Sequence, residues 1–189
     1  LMTRTDDTFV PLNERVRFAR SHNASLFISI HADSLPKKEG QAEGATVYTL
    51  SEHASDAEAA RLADDENKAD VIAGVDLTAE PDDVANILVD LAQRETKTFS
   101  LQFAHSTVKE FKTIARLHKR PMKSAGFVVL KAPDVPSVLI ELGYMSNRSD
   151  LNHLVSTEWR TKTATALAQA VDDFFAPRLA GAAAMGARR

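Results

Sequence analysis

The chain has 189 residues, a length that fits one domain with its own hydrophobic core. Its 44% hydrophobic and 26% charged residues are ordinary for a globular protein, and a formal net charge of −3 without a dense Lys/Arg cluster argues against nucleic-acid binding. The absence of Cys excludes thiolate catalysis, Cys-bound zinc and disulfides. No apolar run in the sequence approaches the roughly 18 residues that span a bilayer.

Helical and extended patterns alternate along the chain. A near-helical spacing of apolar residues predicts a helix from about Leu12 to Ser21. Short apolar runs predict four strands, at Leu26–His31, Gly44–Leu50, Phe127–Leu130 and Ser137–Glu141. The pattern predicts an α/β fold, with a mixed or mostly parallel sheet flanked by helices.

A helical stretch at about residues 52–120 separates the second and third predicted strands and is far longer than an ordinary connection. Its first helix is predicted from Asp56 to Ile72, with Gly74 placed to end it. A second helix is predicted to start at Glu80 and to run to about Leu117, with a break possible at Thr98-Phe99-Ser100. Its apolar stripe suits either docking on the domain or presentation to a partner, and consists of Val84, Ile87, Leu88 and Leu91.

After the last predicted strand the sequence returns to helical patterns. A short helix is predicted at Asp150–Leu154, and an amphipathic helix at Glu158–Phe175 that covers one face of the sheet. The Ala-, Gly- and Arg-rich residues 177–189 predict a disordered tail, so the domain is assigned to residues 1–176.

Two polar residues close apolar runs where side chains emerge at the end of a strand. His31 ends the first predicted strand and Glu141 ends the last. In open α/β sheets, ligands gather at the carboxyl ends of strands. Taken singly, His31 fits a satisfied structural histidine and Glu141 fits a salt bridge as well as it fits a general base. Together, an imidazole and a carboxylate at strand ends are consistent with a metallohydrolase.

The sequence around these two residues resembles the zinc-dependent N-acetylmuramoyl-L-alanine amidases. The block Leu26–Asp33, preceded by Leu12-Asn13-Glu14-Arg15 and Arg4, is similar to the family's central motif. The block Pro136–Asn147, which contains Glu141, is similar to its C-terminal motif. The resemblance covers Thr3 to about Phe175.

The resemblance implies cleavage of the amide between N-acetylmuramic acid and the first L-alanine of the peptidoglycan stem peptide. His31 matches a zinc-ligand histidine and Glu141 matches the catalytic glutamate. Zn²⁺ is the implied cofactor, and the periplasm is the implied location. A zinc carboxypeptidase or endopeptidase of similar architecture is the alternative within the hydrolases.

Two of the family's zinc ligands have no counterpart here. The family takes a first histidine from a Gly-His-Gly-Gly-like turn and a glutamate slightly later, and no stretch of this sequence matches either one. The other histidines match no ligand position of the family; they are His22, His53, His105, His118 and His153. We therefore expect a chain that starts inside a larger protein, without the family's N-terminal strand and helix. Such a chain should bind zinc weakly and be inactive, because a zinc site needs about three protein ligands.

The inserted helices resemble those of the division-associated amidases of the AmiB and AmiC type, in which a helical segment blocks the active site. Relief comes from a LytM-domain activator protein of the EnvC or NlpD kind. Glu66 is the predicted zinc-blocking carboxylate, with Glu58 and Asp70 as rivals on neighbouring turns. The same acids would also fit a solvated helix face. A non-catalytic fragment that binds peptidoglycan or an activator is the alternative from another functional class.

Overall fold

The computed structural model describes residues 1–35, 42–74 and 87–186. Its strands are β1 (Phe27–His31), β2 (Ala45–Leu50), β3 (Leu117–Ala125) and β4 (Ser137–Glu141). Its helices are α1 (Leu12–Ser21), α2 (Ala57–Asn67), α3 (Ala69–Ile72), α4 (Ile87–Phe111), α5 (Arg148–Leu154) and α6 (Thr157–Gly186), with a short 3₁₀ turn at Val128–Leu130.

The four strands form one sheet in the order β1-β4-β2-β3. Backbone hydrogen bonds show that β1 and β4 run parallel. The Phe27 amide donates to the Pro136 carbonyl at 2.8 Å, and the Leu142 amide donates to the His31 carbonyl at 3.0 Å. The carboxyl ends of these two neighbouring strands therefore lie side by side at one edge of the sheet.

The pair β2 and β3 also runs parallel. The Ala45 amide donates to the Arg116 carbonyl at 2.8 Å, and the Ser51 amide donates to the Ala125 carbonyl at 3.0 Å. With two of three neighbouring pairs parallel and helices flanking the strands, the predicted α/β fold class is confirmed.

The third predicted strand is wrong, and the true third strand falls where a helix was predicted to end. Residues Val128–Leu130 form a 3₁₀ turn. The third strand is β3, which starts at Leu117. The strand β3 lies at the edge of the sheet, where Pro121 and polar residues are tolerated. It therefore contains no apolar run from which a strand could be predicted.

The second helix of the long central stretch is continuous from Ile87 to Phe111, so the break considered near Thr98-Phe99-Ser100 is absent from α4. The Thr98 hydroxyl donates to the Arg94 carbonyl at 2.9 Å, so it bonds within the helix. The start of this helix at Glu80 lies outside the described residues, as does Val84 of the apolar stripe. The structure does not describe the side chains of its other members.

The helix α6 continues past Pro177 to Gly186, over most of the segment for which the sequence predicts disorder. Ala-rich sequence favours helix, and Pro177 removes one backbone donor from the ladder. The Arg178 guanidinium donates to the Phe174 carbonyl at 2.9 Å and lies over the Phe174 ring at 3.9 Å. These contacts support the helix next to the proline.

The chain divides into two compact units. The first consists of Leu1–Ser29, Tyr48–Ser100 and Lys123–Leu139, and the second of Ile30–Val47, Leu101–Met122 and Ile140–Arg189. In the first unit, α1 and α2 each contact the turn Val128–Leu130, and the Tyr48 ring meets the Phe127 ring edge-on at 5.3 Å.

The second unit packs α5 against α6 and has its own aromatic contact. The Phe103 and Phe174 rings meet edge-on at 5.4 Å, and both side chains are buried. The C-terminal half of α4 contributes Phe103 and Phe111 to this core. The assignment of about residues 52–120 to one inserted regulatory element stays a prediction.

Candidate metal and catalytic site

The two residues singled out at strand ends lie close together in the second unit. His31 is the last residue of β1 and Glu141 the last residue of β4. The His31 Nδ1 atom lies 3.9 Å from the Glu141 Oε1 atom, with the side chains 11% and 0% exposed. This distance is too long for a hydrogen bond and short enough for two groups that face one ion or water molecule.

A third group, Asp33, joins them and was not singled out from the sequence. Its Oδ1 atom lies 3.7 Å from the His31 Nδ1 atom. Its backbone amide donates to the Glu141 Oε2 atom at 3.1 Å. The signal was available, because residues two apart in an extended segment point to the same side. Asp33 therefore adds a second carboxylate and also holds the first in place.

The chemistry of this cluster fits a zinc ion. Zinc in proteins takes imidazole nitrogen and carboxylate oxygen as ligands. Ligand atoms at Zn–N and Zn–O distances of about 2.0–2.1 Å around a tetrahedral ion lie about 3.3 Å apart. The observed separations of 3.7 and 3.9 Å from His31 Nδ1 are slightly wider, within reach of a small side-chain rotation. His31 and Asp33 could supply two of the about three protein ligands that such an ion needs, with Glu141 beside it.

The loop that follows Glu141 is fastened to the loop that follows His31. The Met145 amide donates to the Asp33 carbonyl at 2.8 Å. The Leu35 amide donates to the Ser146 hydroxyl oxygen at 3.1 Å. Such bonds fix the geometry of the cluster from outside it, which is what a preorganised site requires.

Glu66 lies on α2 in the first unit, where its side chain is half-buried. Burial lowers the pKa of Arg15 and the Arg4 cation lowers it further, while Glu66 and Asp70 raise it. Glu66 therefore belongs to a group of charged side chains around Arg15. Its role as a blocking ligand stays a prediction.

The next residue, Asn67, fastens the end of α2. Its side-chain amide donates to the Gly126 carbonyl at 2.9 Å, and its carbonyl oxygen accepts from the Val128 amide at 2.8 Å. One donated and one accepted bond hold the helix end against Gly126 and the first residue of the 3₁₀ turn. The position of Glu66 on this helix is thereby fixed within the unit.

The two rivals of Glu66 hold structural partners within the first unit. The Glu58 Oε1 atom accepts from Lys123 Nζ at 2.8 Å. Asp70 is 3% exposed, and its Oδ1 atom accepts from the Leu12 amide at 2.9 Å. Leu12 is the first residue of α1, and its amide has no acceptor within the helix. Both carboxylates therefore stabilise the first unit.

The other five histidines have surroundings of their own. The ring of His153 stacks on Trp159 at 5.9 Å and that of His22 lies 4.2 Å from Phe18, as centroid distances. Four of these histidines are exposed, namely His22, His53, His105 and His153. His118 on β3 is half-buried.

A family model described as N-acetylmuramoyl-L-alanine amidase matches residues 1–173. The chain belongs to this amidase family. The resemblance that the sequence motifs indicate is thereby confirmed.

Two curated amidases illustrate the relationship. The amidase AmiA of Salmonella typhimurium is 42% identical over 175 residues, which cover 92% of this chain and 60% of that protein. The amidase AmiC of Escherichia coli is 35% identical over 176 residues, which cover 93% of this chain and 42% of that protein. The chain thus spans about half the length of these relatives.

Among solved structures, the amidase Ami1 of Mycobacterium smegmatis matches with a TM-score of 0.61 at 20% identity. The match covers 94% of this chain and 67% of that one, and it shows a shared fold.

Among the residues that the structure describes, none of the helices combines the length and the apolar character of a membrane-spanning segment.

Proposed function

We propose that the protein is a peptidoglycan hydrolase that cleaves the amide between N-acetylmuramic acid and the L-alanine of the stem peptide. Membership of the amidase family supports this reaction class. The observation that carries the proposal is the 3.9 Å approach of His31 Nδ1 to Glu141 Oε1 at the ends of two parallel strands. This separation supports a metal ligand and a general base that act at one reacting centre.

In this proposal Glu141 is the general base and His31 is a metal ligand. The chemistry that a bound Zn²⁺ supplies is polarisation of the scissile carbonyl and of the attacking water. Glu141 accepts a proton from that water at a carboxylate oxygen and passes it to the amine nitrogen of the departing L-alanine. The Asp33 amide, which donates to Glu141 Oε2 at 3.1 Å, keeps the other oxygen directed toward the reaction.

The location and cellular role form part of the same proposal. We infer an enzyme of the periplasm that splits septal cell wall under the control of a LytM-domain activator. Glu66, a half-buried carboxylate on α2, is the inferred zinc-blocking residue. The expectation that these 189 residues alone bind zinc weakly and are inactive stays a prediction.

Digestion of purified sacculi by the complete protein tests the reaction. Amidase action should release intact stem peptides with a free L-alanine amino terminus and leave glycan without peptides. Shortened stem peptides that remain on the glycan would indicate a carboxypeptidase or endopeptidase. Binding to sacculi without any product would favour the non-catalytic alternative.

The regulatory part is tested by Glu66→Lys in the complete protein. We expect its amidase rate without activator to rise, because the substitution removes the blocking carboxylate. The matched control is Asp64→Lys, which changes an exposed acid on the same helix by the same charge. Equal rates for wild type and Glu66→Lys would contradict the blocking role while leaving the reaction itself untouched.

A further inference from the structure

Asp150 is a buried acid next to the candidate site that no step of the proposed reaction uses. It lies in the first turn of α5 and is 3% exposed. Its Oδ2 atom accepts from the Tyr144 amide at 3.0 Å and from the Gly44 amide at 2.9 Å. A carboxylate buried on two backbone donors is a strong, directional contact.

The first donor belongs to the loop that follows Glu141. Gly143 in this loop has a φ of +154°, and a Cβ there would meet the Asp150 Cβ, Cγ and Oδ2 atoms at 3.0 to 3.2 Å. The loop therefore lies directly on the Asp150 side chain. In the same loop, the amide of Met145, the residue after Tyr144, donates to the Asp33 carbonyl.

The second donor fixes the start of β2. Gly44 has a φ of +80°, and a Cβ there would lie 2.7 Å from the Leu117 carbonyl carbon and 2.8 Å from the Arg116 carbonyl oxygen. The backbone is closely packed at this point, and the Ala45 amide donates to the Arg116 carbonyl. Asp150 thus ties the loop after β4 to a rigid part of the sheet.

From these contacts we infer that Asp150 is a positioning residue for Glu141. The connection runs from Asp150 to the Tyr144 amide, through the loop to Asp33, and from the Asp33 amide to Glu141 Oε2. Asp150 touches no reacting atom. It sets where the Glu141 carboxylate points, and this role rests on the proposed amidase function.

The test compares wild type, Asp150→Ala and Asp150→Asn in the complete, zinc-loaded protein. Asp150→Ala should lower kcat by about 10- to 100-fold with KM within about twofold, since a base displaced by about 1 Å loses this much rate. Asp150→Asn keeps an acceptor oxygen and should recover most of the lost kcat. Asp172→Asn, an exposed aspartate on α6, is the matched control and should equal wild type.

Amide hydrogen exchange supplies a readout that is independent of activity. Asp150→Ala should speed exchange at Tyr144 and Gly44, while zinc content stays at the wild-type value. Unchanged exchange at both amides would overturn the contact itself. Faster exchange with an unchanged kcat would overturn the positioning role.

If Asp150→Ala does not fold, Asp150→Asn supplies the test. Faster exchange at Tyr144 in this variant, together with a kcat equal to wild type, would also overturn the positioning role. A wild type without amidase products would refute the proposed function, whatever the exchange shows.

Discussion

Lys123 and its partner Glu58 should contribute unequally to stability when each is removed alone. Lys123 lies on β3 with a side chain that is 1% exposed. Its Nζ atom lies 2.8 Å from Glu58 Oε1 and 3.4 Å from Asp56 Oδ2. The two carboxylates are 25% and 13% exposed. The positive charge is therefore fully desolvated, whereas its partners keep some contact with water.

This difference in exposure sets the expected free energies of unfolding. Removing one partner of a buried ion pair costs about 3–5 kcal/mol, because the other charge stays buried. In Glu58→Ala the ammonium keeps Asp56 at 3.4 Å as a more distant partner, so we expect a loss of about 2–3 kcal/mol. In Lys123→Met a chain of similar length fills the space, and Glu58 and Asp56 both keep some contact with water, so we expect about 1 kcal/mol.

Urea unfolding followed by circular dichroism measures both losses, provided that the m-value is unchanged. Glu158→Ala is the matched control, because its ion pair with Lys162 at 2.6 Å is exposed on both sides and should give no measurable change. A larger loss of unfolding free energy for Lys123→Met than for Glu58→Ala would refute the reasoning. It would mean that unpaired carboxylates cost more here than an unpaired ammonium.

Two further predictions concern the backbone. Asp70→Ala should cost about 1–2 kcal/mol by leaving the Leu12 amide at the start of α1 without its acceptor, which thermal unfolding should register as a fall in Tm of about 2–8 °C. Gly44→Ala should prevent normal folding, because its Cβ would lie 2.7 Å from backbone. Gly74→Ala, at a similar φ of +78° but with nothing within 4 Å, should cost only about 1 kcal/mol in the same assay. Equal losses for the two glycines would contradict the packing argument.

The sequence predicts the two strands that carry the site because each contains a short apolar run. All five residues of β4 are buried, and its apolar residues Val138–Ile140 are followed directly by Glu141. In β1 the apolar residues are half-buried or exposed, and the pattern still indicates a strand. The edge strand β3 escapes prediction for the opposite reason. Its Lys and Arg residues and Pro121 are typical of an edge that avoids pairing with other chains, and they carry no apolar pattern.

The sequence predicts a strand at Phe127–Leu130, but this apolar run enters the 3₁₀ turn. Phe127, Val129 and Leu130 are buried, and the turn contacts α1 and α2, so burial explains the apolar composition. Short apolar runs of this length fit a strand or a buried turn equally well. Only the tertiary contact distinguishes them.

Within the candidate site, motif resemblance pointed to His31 and Glu141, and the structure brings them together. The structure was needed to find Asp150 and the backbone contact of Asp33. Asp33 acts partly through its backbone amide, which has no sequence signature. Asp150 reads as an ordinary acid in the first turn of a helix, and its partner Gly44 is 106 residues away.

The proposed mechanism depends most on Glu141 acting as the general base while His31 acts as a metal ligand. The most direct measurement is kcat of Glu141→Gln in the complete protein with zinc bound, on a soluble muramoyl-peptide. We predict a fall of about 10²- to 10⁴-fold, the usual contribution of a positioned general base. Turnover within about threefold of wild type would contradict Glu141 as the base, and with it the proposed mechanism.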